Sequence, residues 1–143
     1  MNFHNPDDNA LRALLTRARR IAVVGLSPKP DRPSYFVAEQ LQRFGYEVVP
    51  VRPATASVLG VPAYADLAAV PGPIDLVDVF RAPEHVEPIV DACIALNVPV
   101  LWLQEGVVNE AAARRAQDAG ITVVMDRCIY KDYMALIPGK RRD

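Results

Sequence analysis

The chain has 143 residues, 51% of them hydrophobic, and a formal net charge of −1, as expected for one globular domain. The near-neutral charge argues against a nucleic-acid-binding domain. No apolar run reaches the roughly 20 residues that span a membrane. Two cysteines, Cys93 and Cys128, with no CxxC pair argue against a disulfide scaffold and a structural zinc site.

Apolar spacing along the chain predicts helices that alternate with short buried strands. In chain order, the predicted elements are a helix over about 7–18, a strand over 21–25, a loop over 26–34, a helix over about 35–44, a strand over 47–51, a long turn with a short helix near 66–70, a strand over 75–80, a helix from about 84, a strand over 99–103, a helix over 109–120, a strand over 121–124 and a short helix within 126–137.

We interpret neither end of the given sequence as a targeting or binding segment. The first residues lack the basic and apolar parts of a secretory leader, so the default expectation is a cytoplasmic protein. A short tail over 138–143, with the basic run 140–142, is interpreted as a solvated end. We therefore expect one domain over residues 1–143.

This alternation predicts an α/β fold, a single Rossmann-like three-layer sandwich with about five parallel strands. In such sheets ligands bind beyond the carboxyl ends of the strands, where the strand order reverses. The amino ends of helices point there too and favour anions. A binding site is therefore expected in the loops that follow the strands.

The loop after the first predicted strand favours a pyrophosphate. Gly25 permits a close approach of a ligand or of the next helix, Ser27 and Ser34 offer hydroxyl groups, and Lys29 and Arg32 offer positive charge near a helix start. The loop matches neither the GxGxxG pattern nor the Walker pattern. The alternative is a turn whose cations face water.

The loops after the second and third strands indicate which class of ligand the site would bind. Domains that bind NAD usually carry an acid after the second strand, whereas this chain has Arg52 followed by Pro53. A guanidinium grips a phosphorylated ribose, which coenzyme A and NADP both have. Phe80 could flank an adenine and Arg81 adds charge. The alternatives are a surface ion pair for Arg52 and simple core packing for Phe80.

The last two strand-end loops offer weaker candidates. Gln104 could hydrogen-bond a polar ligand arm, and Glu105 could transfer protons, although a single carboxylate is a weak catalytic signal. Cys128 lies beside Arg127 and near a helix start, a setting that can make a thiol nucleophilic. Neither His4 nor His85 has a position that suggests pairing with it, and most cysteines of this sort are packing residues, so we interpret it as one. The sequence predicts no group of catalytic residues, and no His, Asp or Glu residues have the spacing of metal ligands.

At these loops the chain resembles the small bacterial CoA-binding proteins of the YccU-like group, and it is similar in turn to the N-terminal CoA-binding domain of the succinyl-CoA synthetase α subunit. The resemblance covers roughly residues 10–135. Four ordered motifs carry it: Val23–Ser34, Val77–Arg81, Leu101–Gly106 and Val123–Cys128.

The resemblance implies a domain that holds CoA across the strand ends. Gly25 and Ser27 would lie by the pyrophosphate, Arg52 near the nucleotide end, and Gln104 and Glu105 along the bound CoA. The synthetase loop is richer in glycine, and its phosphorylated histidine lies in a second domain that this chain lacks. The resemblance therefore implies binding without catalysis.

Three hypotheses follow. The first is a non-catalytic module that binds CoA or an acyl-CoA as a carrier, sensor or regulatory partner. The second is an NADP- or CoA-dependent enzyme of unknown reaction. The third is an interaction domain that has lost its ligand. Neither a nucleic acid nor a membrane is expected as a partner, and a homodimer or an unidentified protein partner is left open.

Overall fold

The computed structural model describes residues 3–138, so residues 139–143 of the expected tail, including its basic run, lie outside the described residues. The elements in chain order are α1 (Asp8–Arg17), β1 (Arg20–Val24), α2 (Pro33–Arg43), β2 (Glu47–Val51), β3 (Ser57–Val58), β4 (Val61–Pro62), a 3₁₀ turn (Leu67–Ala69), β5 (Leu76–Val79), a 3₁₀ turn (Pro83–His85), α3 (Val86–Ala95), β6 (Val100–Leu103), α4 (Glu110–Asp118), β7 (Thr122–Met125) and α5 (Ile129–Leu136).

Five of the strands form one parallel sheet in the order β2-β1-β5-β6-β7. Buried side chains of α1, α2 and α5 pack against one face of it, and those of α3 and α4 against the other. The predicted Rossmann-like α/β fold with five parallel strands is thus confirmed. The order reverses beside β1, because β2 lies on one side of it and β5 on the other.

Local sequence signals set where the helices begin. The carboxylate of Asp7 accepts from the Ala10 amide at the start of α1, and the Asn109 side chain accepts from the Ala112 amide at the start of α4. Pro33 occupies the first turn of α2, where its missing N–H and fixed φ suit a helix start. Helix α2 therefore begins two residues before the predicted start at Tyr35.

Backbone and side-chain groups cover both edges of the sheet. At the β2 edge, the Tyr64 amide donates to the Pro50 carbonyl over 3.0 Å, and the Arg52 amide donates to the Tyr64 carbonyl over 2.8 Å. At the β7 edge, the side chain of Asn5 accepts from the Met125 amide over 2.7 Å and donates to its carbonyl over 3.0 Å. Exposed edges of this kind can otherwise pair with other chains.

Two features of the chain were not predicted. The long turn after β2 contains the antiparallel hairpin of β3 and β4, with Val58 opposite Val61. Residues 3–7 run beside β7 instead of lying free in solution, as the Asn5 contacts show. None of the helices within residues 3–138 combines the length and apolar character needed to cross a membrane.

Candidate functional site

The cavity lined by most of the predicted site residues, called the main cavity for that reason, lies where the strand order reverses, beyond the carboxyl ends of β1, β2 and β5. It has a volume of about 380 Å³. This is the place where open parallel sheets bind their ligands. Its lining comprises Gly25, Ser27, Pro28, Lys29, Arg32, Pro33, Ser34, Arg52 and Phe80.

A pair of serines fixes the loop between β1 and α2. The hydroxyl oxygen of Ser34 accepts from the Ser27 amide over 3.0 Å, and that of Ser27 accepts from the Lys29 amide over 3.1 Å. Both serines are buried. Each oxygen is used here as an acceptor, so each hydroxyl still has its own O–H to donate, and both residues line the cavity.

The backbone of this loop has few amides to offer an anion. Pro28, Pro30 and Pro33 carry none, and the amides of Ser27, Lys29 and several neighbours are engaged within the protein. The cavity differs in this respect from glycine-rich loops, whose backbone amides cradle phosphates. Side chains would supply most of the contacts to a phosphate in this cavity.

Gly25 is required by the fold at this position. Its φ is +86°, and a Cβ there would lie 2.5 Å from the Phe80 carbonyl oxygen and 2.9 Å from the Arg81 Cδ. The expected reason for this glycine was a close approach of a ligand or of the next helix. The close neighbour is instead the backbone after β5, so Gly25 lets the β1 and β5 loops meet beneath the cavity.

Four cations surround the cavity and the hollow that adjoins it, namely Lys29, Arg32, Arg52 and Arg81. Within residues 3–138, none of their side chains forms a hydrogen bond or an ion pair, and no acid lines either space. The guanidinium of Arg115, by contrast, pairs with acidic side chains on α3. The strand ends of β1, β2 and β5 thus hold uncompensated positive charge.

A second, apolar cavity of about 270 Å³ lies on the α3 side of the sheet. Between the two cavities lies a hollow lined by Gly25, Arg52, Pro53, Phe80 and Arg81. The apolar cavity was not predicted from the sequence, because the residues that line it form no recognisable binding motif. They are Val24, Val51, Pro53, Ala65, Asp66, Leu67, Arg81, His85, Pro88, Ile89 and Ala92.

Nine of the eleven predicted site residues therefore line these connected spaces, and Gln104 and Glu105 do not. Gln104 is 4% exposed, and its side-chain oxygen accepts from the Ile129 amide over 3.1 Å. Glu105 lies on the surface and pairs with Lys131 at 3.0 Å. Its hydrogen bond raises the pKa of Lys131.

Several polar groups at the carboxyl ends of β6 and β7 bond to one another or to α5. Asp126, held at φ +62°, accepts from the Gly106 amide over 2.8 Å. The Arg127 guanidinium makes two bonds to the carboxylate of Asp132, at 2.6 and 2.8 Å, which raise the pKa of Arg127. Among the described residues, the unpaired cations thus lie at the carboxyl ends of β1, β2 and β5, and the ion pairs lie at those of β6 and β7.

The remaining reactive groups lie apart or buried. Cys128 is 8% exposed, and burial raises the pKa of the Cys93 thiol to about 12, so Cys93 packs as an apolar residue. His4 is exposed on the N-terminal segment, and His85 lines the apolar cavity.

Within residues 3–138, Asp78 is the one residue whose buried side-chain oxygens have no hydrogen-bond partner. It is fully buried in β5, in register with Val23 and Trp102, and neither carboxylate oxygen has a hydrogen-bond partner. Burial raises its pKa well above the usual value. The sequence signal for this acid is its position inside an otherwise apolar run, because strands of a parallel sheet are buried on both faces.

A family model described as "CoA binding domain" matches residues 19–134. The chain belongs to this CoA-binding domain family, which confirms the resemblance inferred from the four strand-end motifs.

The chain also matches individual proteins over most of their length. The chain is 43% identical over 127 residues to the "Uncharacterized protein YneT" of Bacillus subtilis (strain 168), covering 89% of this chain and 94% of that protein. A "hypothetical protein from Pyrococcus horikoshii OT3" superposes with a TM-score of 0.90 at 34% identity, covering 96% of this chain and all of that one. The "cell-free ID.343" protein of Thermus thermophilus gives 0.89 at 35%, with coverages of 92% and 100%.

Proposed function

We propose that this protein binds coenzyme A or an acyl-CoA at the carboxyl ends of β1, β2 and β5, as a binding, carrier or regulatory module that does no chemistry of its own. The observation that carries the proposal is a set of four cations that are unpaired among residues 3–138 and surround spaces lined by no acid of that range. Such a site suits a ligand with several phosphate groups. Membership of a CoA-binding family supports CoA as that ligand.

The diphosphate of CoA would lie against the loop before α2. There the hydroxyl protons of Ser27 and Ser34, the charges of Lys29 and Arg32 and the amino end of the helix converge on one cavity. Phosphate oxygens are acceptors only, so they match a lining that offers donors.

The 3′-phosphoadenosine end would extend toward α3. Arg52 borders both the main cavity and the joining hollow, which suits a phosphate on the ribose between diphosphate and base. The adenine would then enter the apolar cavity, past Pro53 and Arg81. A flat apolar base with polar edges suits such a space.

The non-catalytic role is supported by the composition of the cationic lining. Among the described residues that line the main cavity and the hollow there is no acid, histidine or cysteine to transfer a proton or attack a substrate. The second candidate is an NADP- or CoA-dependent enzyme, because Arg52 would suit the phosphorylated ribose of either ligand.

Calorimetry with CoA, dephospho-CoA, NADP and NAD tests the proposal. CoA should bind most tightly, and at a hundredfold excess over its Kd it should stabilise the fold by about 2.7 kcal/mol. Binding of NADP without binding of CoA would support the second candidate and overturn the first.

Arg52→Ala tests how the ribose phosphate is recognised. Loss of a charge-assisted contact should weaken CoA by roughly 10- to 100-fold, while dephospho-CoA, which lacks that phosphate, should lose little. The matched control is Arg43→Ala, which removes an arginine from the last turn of α2, at the opposite end of the helix from the cavity. Equal losses for both ligands would contradict this role for Arg52.

A further inference from the structure

We infer that an exposed aromatic patch between α2 and α5 is the contact surface of a homodimer, in which α2 of one copy packs antiparallel to α2 of the other. The patch is called here the α2–α5 patch and is formed by Phe36, Tyr130 and Met134. None of these residues lines the main cavity, the hollow or the apolar cavity. The inference therefore goes beyond the proposed function and does not depend on it.

Two of the four large apolar side chains exposed within residues 3–138 belong to this patch. Phe36 is 45% and Met134 is 58% exposed, whereas Leu96 and Val108 follow α3 and precede α4, away from the patch. The Phe36 and Tyr130 rings meet edge to face with their centroids 5.2 Å apart. Met134 lies one turn further along the same side of α5. Single exposed apolar residues are normal, but adjoining ones indicate a contact surface.

Stacked rings hold the patch in place. The ring of Phe44 stacks on that of Tyr133 with the centroids 3.8 Å apart, and it lies parallel to the Tyr130 ring at 6.0 Å. Because Tyr130 is fixed between Phe44 and Phe36, little side-chain freedom would be lost when the patch is covered. Aromatic residues and methionine are also enriched at protein interfaces. The patch is therefore suited to a protein partner.

The charges beside the patch are self-complementary. Glu39 and Arg43 lie four residues apart on the exposed side of α2 that carries Phe36. Within residues 3–138, neither side chain forms an ion pair with the other or with a third residue. A twofold axis midway between them would place Glu39 of each copy opposite Arg43 of the other. A second copy of this chain thus supplies the charges that the first lacks.

The same axis brings the apolar side chains together. Helices α2 and α5 run in the same direction, since Phe36 contacts Tyr130 and Phe44 contacts Tyr133. Phe36 and Met134 therefore lie at opposite ends of the patch. Reversal about the axis would set Phe36 of one copy against Met134 of the other, twice.

Other occupants fit this surface less well. Residues 139–143 contain no apolar side chain, so this segment has nothing to bury against the rings. The patch itself is small compared with the roughly 800 Å² that each partner buries in a standard interface. A reversible dimer with a Kd on the order of 10–100 µM is therefore expected, rather than a permanent one.

Sedimentation equilibrium of the wild-type chain from about 5 to 500 µM should show a monomer–dimer equilibrium. Phe36→Ser should weaken it by at least about tenfold. Leu96→Ser, the matched control at an exposed apolar residue outside the patch, should change the Kd by less than about twofold. Circular dichroism checks that each variant is folded. A wild-type chain that stays monomeric, or a dimer that Phe36→Ser leaves intact, would overturn the inference.

Charge reversal tests the arrangement itself. Glu39→Arg alone and Arg43→Glu alone each place like charges opposite one another and should weaken the dimer, whereas the double variant should return the Kd to within about threefold of the wild-type value. A merely structural effect of either substitution would not be rescued in this way, so failure of the rescue would overturn the arrangement. Binding of the wild type to phosphatidylcholine–phosphatidylglycerol vesicles, lost in Phe36→Ser, would assign the patch to a lipid surface and also overturn it.

Discussion

At the scale of single residues, Asp78 is a polar group that the core does not satisfy. Its two oxygens are buried without a partner in the middle of β5, and a charged carboxylate there would be very unfavourable. Burial therefore favours the neutral form of this acid and raises its pKa. Phe80 and Arg81, which line the hollow, follow two and three residues later in the chain.

The raised pKa of Asp78 gives the stability of the fold a pH dependence. The folded state keeps the proton to a higher pH than the unfolded state does. The stabilisation is thus complete below the unfolded-state pKa near 3.8 and is lost as the pH rises through the folded-state pKa. One such group changes the free energy of unfolding by at most about 1.4 kcal/mol per pH unit.

Asp78→Asn should remove this dependence. The variant should gain stability over the wild type as the pH rises from about 4 toward neutrality, as measured by urea unfolding at several pH values. Asp118→Asn, at an exposed acid at the end of α4, is the control and should leave the pH profile parallel to that of the wild type. Parallel profiles for Asp78→Asn as well would mean that the carboxyl finds a partner in solution.

Single residues also show where sequence reasoning succeeds. Arg52 and Arg81 were expected at a common site because the carboxyl ends of parallel strands meet at one edge, and they border one hollow. Gln104 and Glu105 follow the same rule of position, yet their partners lie about 25 residues further on, in α5. Those partners depend on how α5 packs, which no local pattern encodes.

At the scale of elements, the segment before α1 protects the sheet. Strand β7 is an edge, and the Asn5 amide pairs with the backbone of Met125 as a neighbouring strand would. The amide of Phe3 also donates to the Glu110 side chain, over 3.1 Å. The N-terminal segment thereby blocks the edge against other chains.

Asn5→Ala should cost about 1–2 kcal/mol of stability, because it removes two part-buried hydrogen bonds to one backbone unit. Urea unfolding measures the loss, and hydrogen exchange of the Met125 amide locates it. The control is Asn9→Ala, since Asn9 accepts only an exposed bond from Arg12. A loss no larger than that of the control would show that the segment does not hold the edge.

The elements themselves were largely predictable. Apolar runs identified all five strands of the sheet, and capping residues such as Asp7 and Asn109 fixed helix starts. The β3–β4 hairpin escaped prediction, because each of its strands has two residues, too few to show a period. The N-terminal segment escaped because its contacts join residues 120 positions apart.

At the scale of the whole molecule, charge is unevenly distributed. The chain carries a formal net charge of −1, yet four cations that are unpaired in the described part of the chain lie around two adjoining spaces at the carboxyl ends of the strands. A composition cannot reveal such a cluster, because the fold alone brings together loops from three strands. Attraction between this cluster and a polyanion is screened by salt, with a Debye length of about 10 Å at 0.1 M.

The affinity for CoA should therefore fall by about tenfold between 50 mM and 500 mM salt. Titrations of the wild type at several salt concentrations give the slope of log Kd against log salt. Arg52→Ala should flatten that slope, whereas Arg43→Ala should not. A salt-independent affinity would show that the cations do not face the ligand.

Trp102 is the single tryptophan of the chain, and it is fully buried in β6 with its indole N–H donated to the Arg127 carbonyl. Trp102 does not line the main cavity, the hollow or the apolar cavity. Its fluorescence is thus an intrinsic optical reporter of the intact β6–β7 pair. The emission will shift to longer wavelength on unfolding and remain constant on ligand binding, so folding and binding can be followed independently in one sample.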